Sequence, residues 1–429
     1  MIPGGKQAPG LYAIVLSHYI ISVLCFFILA IMLLFSVQEL SGHYFHPKLL
    51  ALTHMAALGW GTLIIFGAAY QLIPVVFESE LYSNRLPWAS LCTFVAGLVL
   101  LVFSFWVFDP GLLMQAGGLL LLTGMLLFSV NVFFTAAGNK KQPGIQQELI
   151  VSSCIWLLAT ALLGVLLVFN FRYPFLPKDH LHFLKLHAHL GIAGWFLLLI
   201  IGVSSRLIPM FIVSRKQNEK LLKWCYYLIN LALVLFITDT YISGINIKTY
   251  FIAAIMIAGI VLYLVYVVQC YRSRLRKQTD LPMFNTFLSL LLMAAPLIMV
   301  PFIIKFNLSG DPRAITWSTL YGTLLFIGWI SCLVLGQTFK TLPFITWVKK
   351  YEHLAGRIKT PLPADLYSKR LLQLQSCAFI AFCLTFYTGM IIGMPALLYT
   401  GSICLLLTSA VYLVNLLLII THKSQESNP

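Results

Sequence analysis

The sequence predicts an all-α membrane protein with twelve transmembrane helices. They form three four-helix repeats with pseudo-threefold symmetry inside one membrane domain, 1–429. Three observations predict this class. Charged residues are 10% of the chain against 60% hydrophobic, and mean hydropathy is +0.91, leaving too few charges to cover a water-facing surface. Apolar runs of about 20 residues or more, each able to cross ~30 Å of hydrocarbon, recur from end to end. A histidine-headed string returns at fixed spacing.

Taken in order, the spans are 11–37, 47–74, 86–108, 111–136, 146–169, 181–213, 219–242, 250–272, 283–306, 313–345, 370–393 and 395–421. The first follows "MIPGGKQAPG", is too long for a signal-peptide core and lacks a small-residue cleavage site, so it reads as a retained helix. His18 within it reads as a satisfied interhelical hydrogen bond rather than a ligand. Linkers are short and polar; the longest, around 346–369, runs into the Pro-rich "KTPLPADLYSKR". Nine cysteines stand singly in apolar segments with no C-x-x-C pair, which reads as buried, inert thiol rather than disulfide or zinc.

The net charge of +15 is topological. With a cytoplasmic N-terminus, 21 of the 28 Lys and Arg fall inside and seven outside, the bias of a polytopic protein with both termini in the cytoplasm of a bacterial inner membrane. The lipid bilayer is the partner that this distribution implies, and nucleic acid is not.

The repeated string begins as "HMAALGWGTLIIFGAAYQLIP" in span two, His54 to Pro74, and "HLGIAGWFLLLIIGVSSRLIP" in span six, His189 to Pro209. A third copy, "TLLFIGWISCLVLGQTFKTLP", runs from Thr323 to Pro343. Gly, Trp, Gly and Pro recur at +5, +6, +13 and +20 in all three. The copies are 135 and 134 residues apart, four helices each, which keeps every copy in one orientation and sets repeats of approximately 1–137, 138–273 and 274–429. Gly and Trp read as packing elements and the closing Pro as a helix end. The histidine reads differently, because an ionisable side chain about two turns inside an apolar run marks a functional site by default. His187, two residues before His189, diverges from it by roughly 200° on a helix, so the two face different neighbours or serve two sites.

This pattern resembles the haem–copper oxidase subunit I superfamily. Twelve helices in three arcs with both termini inside is that family's plan, and its redox centres lie in the outer part of the membrane. His54 matches the family's haem-binding histidine on helix two, and His189 lies on helix six, where the family keeps a copper ligand. Two departures stand out. Helix seven, "WCYYLINLALVLFITDTY", has no histidine, and helix ten carries Tyr321-Gly-Thr323 where the family has H-x-H. The resemblance therefore implies a divergent relative of oxidases and nitric oxide reductases, closer to NnrS-type membrane proteins than to a terminal oxidase. Haem b is implied and copper is not. Glu39, Glu78, Glu80, Asp109, Glu148, Asp179 and Asp239 all lie at or near span ends, so redox-driven proton pumping is not expected.

On this reading His54 and His189 are iron ligands converging on one cavity, and His187 is a second-site ligand or partner. Of the outer His43, His46, His180 and His182, ordinarily just solvated, His182 is the better candidate for a ligand or propionate contact, being seven residues before His189 on the same face. His353 and His422 read as cytoplasmic. At +17 the copies hold Gln71, Arg206 and Lys340, expected to snorkel at the inner end. Family analogy implies respiratory redox or nitric oxide chemistry, with an electron donor or small gas as partner. The residues alone equally suit a cofactor-free transporter or assembly factor whose histidines line a substrate path.

Overall fold

The computed structural model describes residues 11–138 and 143–422. Lys6, Lys140, Lys141 and Lys423 of the charge argument lie outside the described residues.

Among the described residues, twelve helices are long and apolar enough to cross a membrane. They are α1 (Leu11–Leu34), α2 (Pro47–Phe77), α3 (Leu86–Val107), α4 (Leu112–Ala137), α5 (Ile145–Arg172) and α6 (His180–Ile212), then α7 (Glu219–Ser243), α8 (Lys248–Arg272), α9 (Leu281–Leu308), α10 (Arg313–Leu354), α11 (Lys369–Ile392) and α12 (Pro395–Thr421). Apolar length drives each of them, since a backbone in hydrocarbon must satisfy its own hydrogen bonds. No strand forms among the described residues; two isolated β-bridges do.

The chain divides into two compact units, one holding residues up to Ala68, Asp280–Ala295 and Thr319 onward, the other Ala69–Thr279 and Pro296–Ser318. In the first, Trp60 stacks on Phe26 at 4.3 Å and meets the edge of Tyr412 at 5.6 Å. Its indole N–H donates to Ser331 Oγ at 2.9 Å, and Ser22 Oγ donates to the Trp60 carbonyl at 2.8 Å. Asn285 on α9 donates to Ser376 on α11 at 2.9 Å. In the second, Leu167, Phe183, Leu186, Ala232, Phe236 and Ile252 form a buried cluster that joins α5, α6, α7 and α8.

Three sequence readings that bear on the helices and the cysteines need correction. The closing prolines do not end their helices: Pro74, Pro209 and Pro343 all lie inside, and α10 runs on to Leu354. A proline leaves the carbonyl four residues earlier without its helical donor. At Pro209 that carbonyl belongs to Ser205, and the Tyr266 hydroxyl supplies the bond at 2.7 Å. Lys340 does not snorkel. Its side chain is mostly buried and forms an ion pair with Asp280, whose carboxylate also caps α9 through the Met283 N–H. Finally, two cysteines are exposed: Cys92 and Cys377.

Candidate functional site

The motif residues are built alike. His54 Nδ1 lies 2.8 Å from the Leu50 carbonyl and His189 Nδ1 lies 2.8 Å from the Lys185 carbonyl, each four residues back on its own helix. A carbonyl oxygen only accepts, so Nδ1 carries a proton, and in the neutral ring the lone pair is then on Nε2. Such a bond also fixes the ring's rotation, as it does for histidines that bind metal. Both side chains are half-buried.

A feature the sequence did not reveal follows each motif residue. The backbone widens into π-helix over Met55–Thr62, Leu190–Leu197 and Leu324–Ile330, beginning directly after His54, His189 and Thr323. A π turn inserts one residue and rotates everything beyond it relative to everything before, and it occurs often at functional sites. Side chains supply bonds to the loosened ladder: Ser331 Oγ donates to the Phe326 carbonyl at 2.9 Å, five residues back. Helix propensities carry no signal for this. The shared Gly-Trp pair at +5 and +6 falls inside every widened stretch and was the available clue.

His54 belongs to the first unit, and His182, His187 and His189 to the second. On α6 the histidines diverge. His187 turns to α5, where its Nδ1 lies 3.0 Å from the Thr160 carbonyl and its ring fills the space opposite Gly164. A Cβ on Gly164 would sit 2.9 Å from His187 Cε1, so that glycine makes room for the ring. His189 turns to α7, its ring centroid 4.5 Å from Phe236. His182 shares that side, 6.4 Å from Tyr241, and its backbone N–H is received by the Asp179 carboxylate that caps α6. Just below, Gly194 packs against Trp156, whose indole donates to Asn230 Oδ1 at 2.8 Å.

Other histidines have structural work. His180 pairs Nε2 with the Leu167 carbonyl at 3.2 Å, so Nδ1 accepts from the Asn170 amide at 3.2 Å, and both nitrogens are used. Asn170 Oδ1 in turn accepts the Phe175 and Leu176 N–H groups, which fastens the turn before α6. His43 Nδ1 accepts from the Phe45 N–H at 3.0 Å. His18 is fully buried, and its Nδ1 bonds the Ile14 carbonyl of its own helix at 2.8 Å, where an interhelical bond was expected. His422 Nδ1 meets the Tyr351 hydroxyl at 2.8 Å.

The third copy differs in chemistry. Thr323 Oγ1 donates to the Leu320 carbonyl at 2.9 Å and lies 3.5 Å from Met390 Sδ, while Tyr387 donates to the Thr323 carbonyl at 3.2 Å and covers Gly328. The copy keeps the π-helix and lacks the imidazole.

Among the described residues no three His, Cys, Asp or Glu side chains gather to hold a metal ion. Iron inside a porphyrin needs only one or two protein ligands, and a neutral imidazole with its proton on Nδ1 is a suitable one. The donors at His54 and His189 fit that requirement. No protein-family model matches the chain, and no curated protein matches its sequence.

Proposed function

We propose that this chain is a multi-pass, haem-binding membrane protein of oxidase-like design, with three four-helix repeats related by rotation about the membrane normal. Its place is the bacterial inner membrane, with both termini in the cytoplasm. One observation carries the reading: His54 and His189 hold the same orienting bond to the carbonyl four residues back, directly ahead of the same π-helical widening. His18 makes the same bond to the carbonyl four residues back with no π-helix behind it, so it is the pairing of that bond with the widening at equivalent repeat positions that sets His54 and His189 apart. His54 and His189 would ligate iron through Nε2, and His187, on another side of α6, would serve a second site or a partner. Haem b supplies electron-transfer or gas-binding chemistry when bound. The chain's own residues orient the imidazoles through the Leu50 and Lys185 carbonyls.

A role in respiratory redox or nitric oxide chemistry extends this reading by family analogy. The visible spectrum of the purified protein, with iron and copper analysis, tests it. The expected result is a haem spectrum that His54→Ala and His189→Ala each alter and His353→Ala leaves unchanged, with iron present and copper below stoichiometric amounts. Colourless, iron-free protein would overturn it in favour of the cofactor-free transporter or assembly factor.

A further inference from the structure

In the second unit, the α6–α7 and α8–α9 connections are sewn together. Ser214 and Arg274 form an antiparallel bridge. Around it, Arg215 N–H donates to Ser273 O at 3.2 Å, Leu275 N–H to Val213 O at 3.0 Å and Arg276 N–H to Ile212 O at 3.3 Å. The Ser214 and Ser273 hydroxyls meet at 2.8 Å. Arg274 is folded down, its guanidinium 3.7 Å from the Tyr271 ring centroid and bonded to the Tyr271 carbonyl.

The stitched pair displays Arg215, Lys216, Lys220, Arg272, Arg276 and Lys277 as exposed cations, with Glu219 the one exposed carboxylate over 213–279. The first turn of α7 opens into this patch, and its Asn218 N-cap makes no side-chain bond, so the helix adds the partial positive charge of its N-terminal N–H groups. Positive-inside topology requires only that cations lie on one side; it does not require two loops to be bonded into one rigid surface. The depth of the patch is marked by aromatics. Trp224 is 63% and Tyr227 57% exposed, each four residues beyond Lys220 and Lys223 on the same faces of α7. Exposed Trp and Tyr sit at the headgroup level of a bilayer, which places the adjoining cations among lipid phosphates. Exposed Val213 and Leu275 between the cations face the same apolar boundary.

We propose that these stitched loops form a binding site for the headgroup of an anionic phospholipid of the phosphatidylglycerol type. Basic pockets between transmembrane helices take such headgroups, and rigid loops hold the cations in place beforehand. The proposal is independent of the haem reading.

The test is native mass spectrometry of the full chain, released from micelles of phosphatidylglycerol and phosphatidylcholine mixed in equal amounts. Wild type is expected to retain phosphatidylglycerol preferentially. The variant R215Q/K216Q/R276Q/K277Q, which leaves the backbone bridge intact, is expected to lose that preference at least about tenfold, given roughly fivefold per cation before screening. The variant K349Q/R357Q/K359Q/R370Q removes four exposed cations from the α10–α11 connection and the helix ends beside it and is expected to retain it. Unchanged preference in the first variant overturns the proposal, and so does an equal loss in both, which would mean net charge rather than a site.

Discussion

Adding one methyl group at Gly194 tests the account of how α6 is seated. A Cβ there would stand 2.5 Å from Trp156 Cβ and 2.7 Å from Trp156 Cγ. Carbon contacts are comfortable at roughly 3.5–4.0 Å, so the helices would have to part by about 1 Å. The obstruction is the root of a side chain rather than a flexible tip, and Trp156 is held by its bond to Asn230 at 2.8 Å. Overpacking of this kind costs about 1–3 kcal/mol. Loss of the indole bond adds about 1 kcal/mol, for about 2–4 kcal/mol in all. Gly322 on α10 is the internal comparison, because a Cβ there meets nothing within 4 Å. Gly322→Ala should be neutral or stabilising by up to ~1 kcal/mol, from helix propensity. Unfolding by SDS in mixed micelles, followed by tryptophan fluorescence, reads both variants. If Gly194→Ala unfolds at the same SDS fraction as Gly322→Ala, the close approach of α5 and α6 is wrong.

Gly164→Val should displace the His187 ring and weaken its bond to Thr160, destabilising the protein by about 1–3 kcal/mol, read in the same unfolding titration. Asp280→Ala removes both the ion pair with Lys340 and the cap of α9, so it should be more destabilising than Lys340→Met, by about 1 kcal/mol. Glu39 accepts from Lys48 at the start of α2; partial burial pulls its carboxyl upward, but the ammonium and Glu39's own backbone bond outweigh this and hold it below the usual carboxylate range. A carboxyl depressed in the folded state stabilises fully above its unfolded value of about 4.3, and that stabilisation disappears as pH falls through the lower folded value. Wild type should therefore lose up to ~1 kcal/mol between about pH 6 and pH 3 that Glu39→Gln does not lose, seen as converging unfolding midpoints. Reporter fusions after Pro143 and Gln278 should both report the cytoplasmic side; an outside signal at both would overturn the assigned orientation.

Much of the fold was legible because hydrocarbon imposes a simple rule: a crossing segment must be apolar, helical and about 20 residues long. All twelve spans follow from it, most with ends within a few residues of the structural ones, and the largest difference is at α10, which runs on past Pro343 to Leu354. Pro209 reads as a terminator in the sequence, yet Tyr266, 57 residues later, satisfies the carbonyl it strands. Lys340 reads as a snorkelling chain, yet Asp280 receives it near the start of α9. The spacing of the motif picked out His54 and His189, and helical geometry alone separated His189 from His187 two residues before it. Which neighbours they meet, Thr160 on α5 and Phe236 on α7, depended on packing between helices distant in sequence. The His187 tautomer was likewise decided by tertiary structure, through the Thr160 carbonyl on α5, whereas those of His54 and His189 follow from carbonyls four residues back on their own helices. A side chain's rotation and a backbone's register depend on partners that no local pattern names, whereas transfer from water to hydrocarbon is scored residue by residue along the chain.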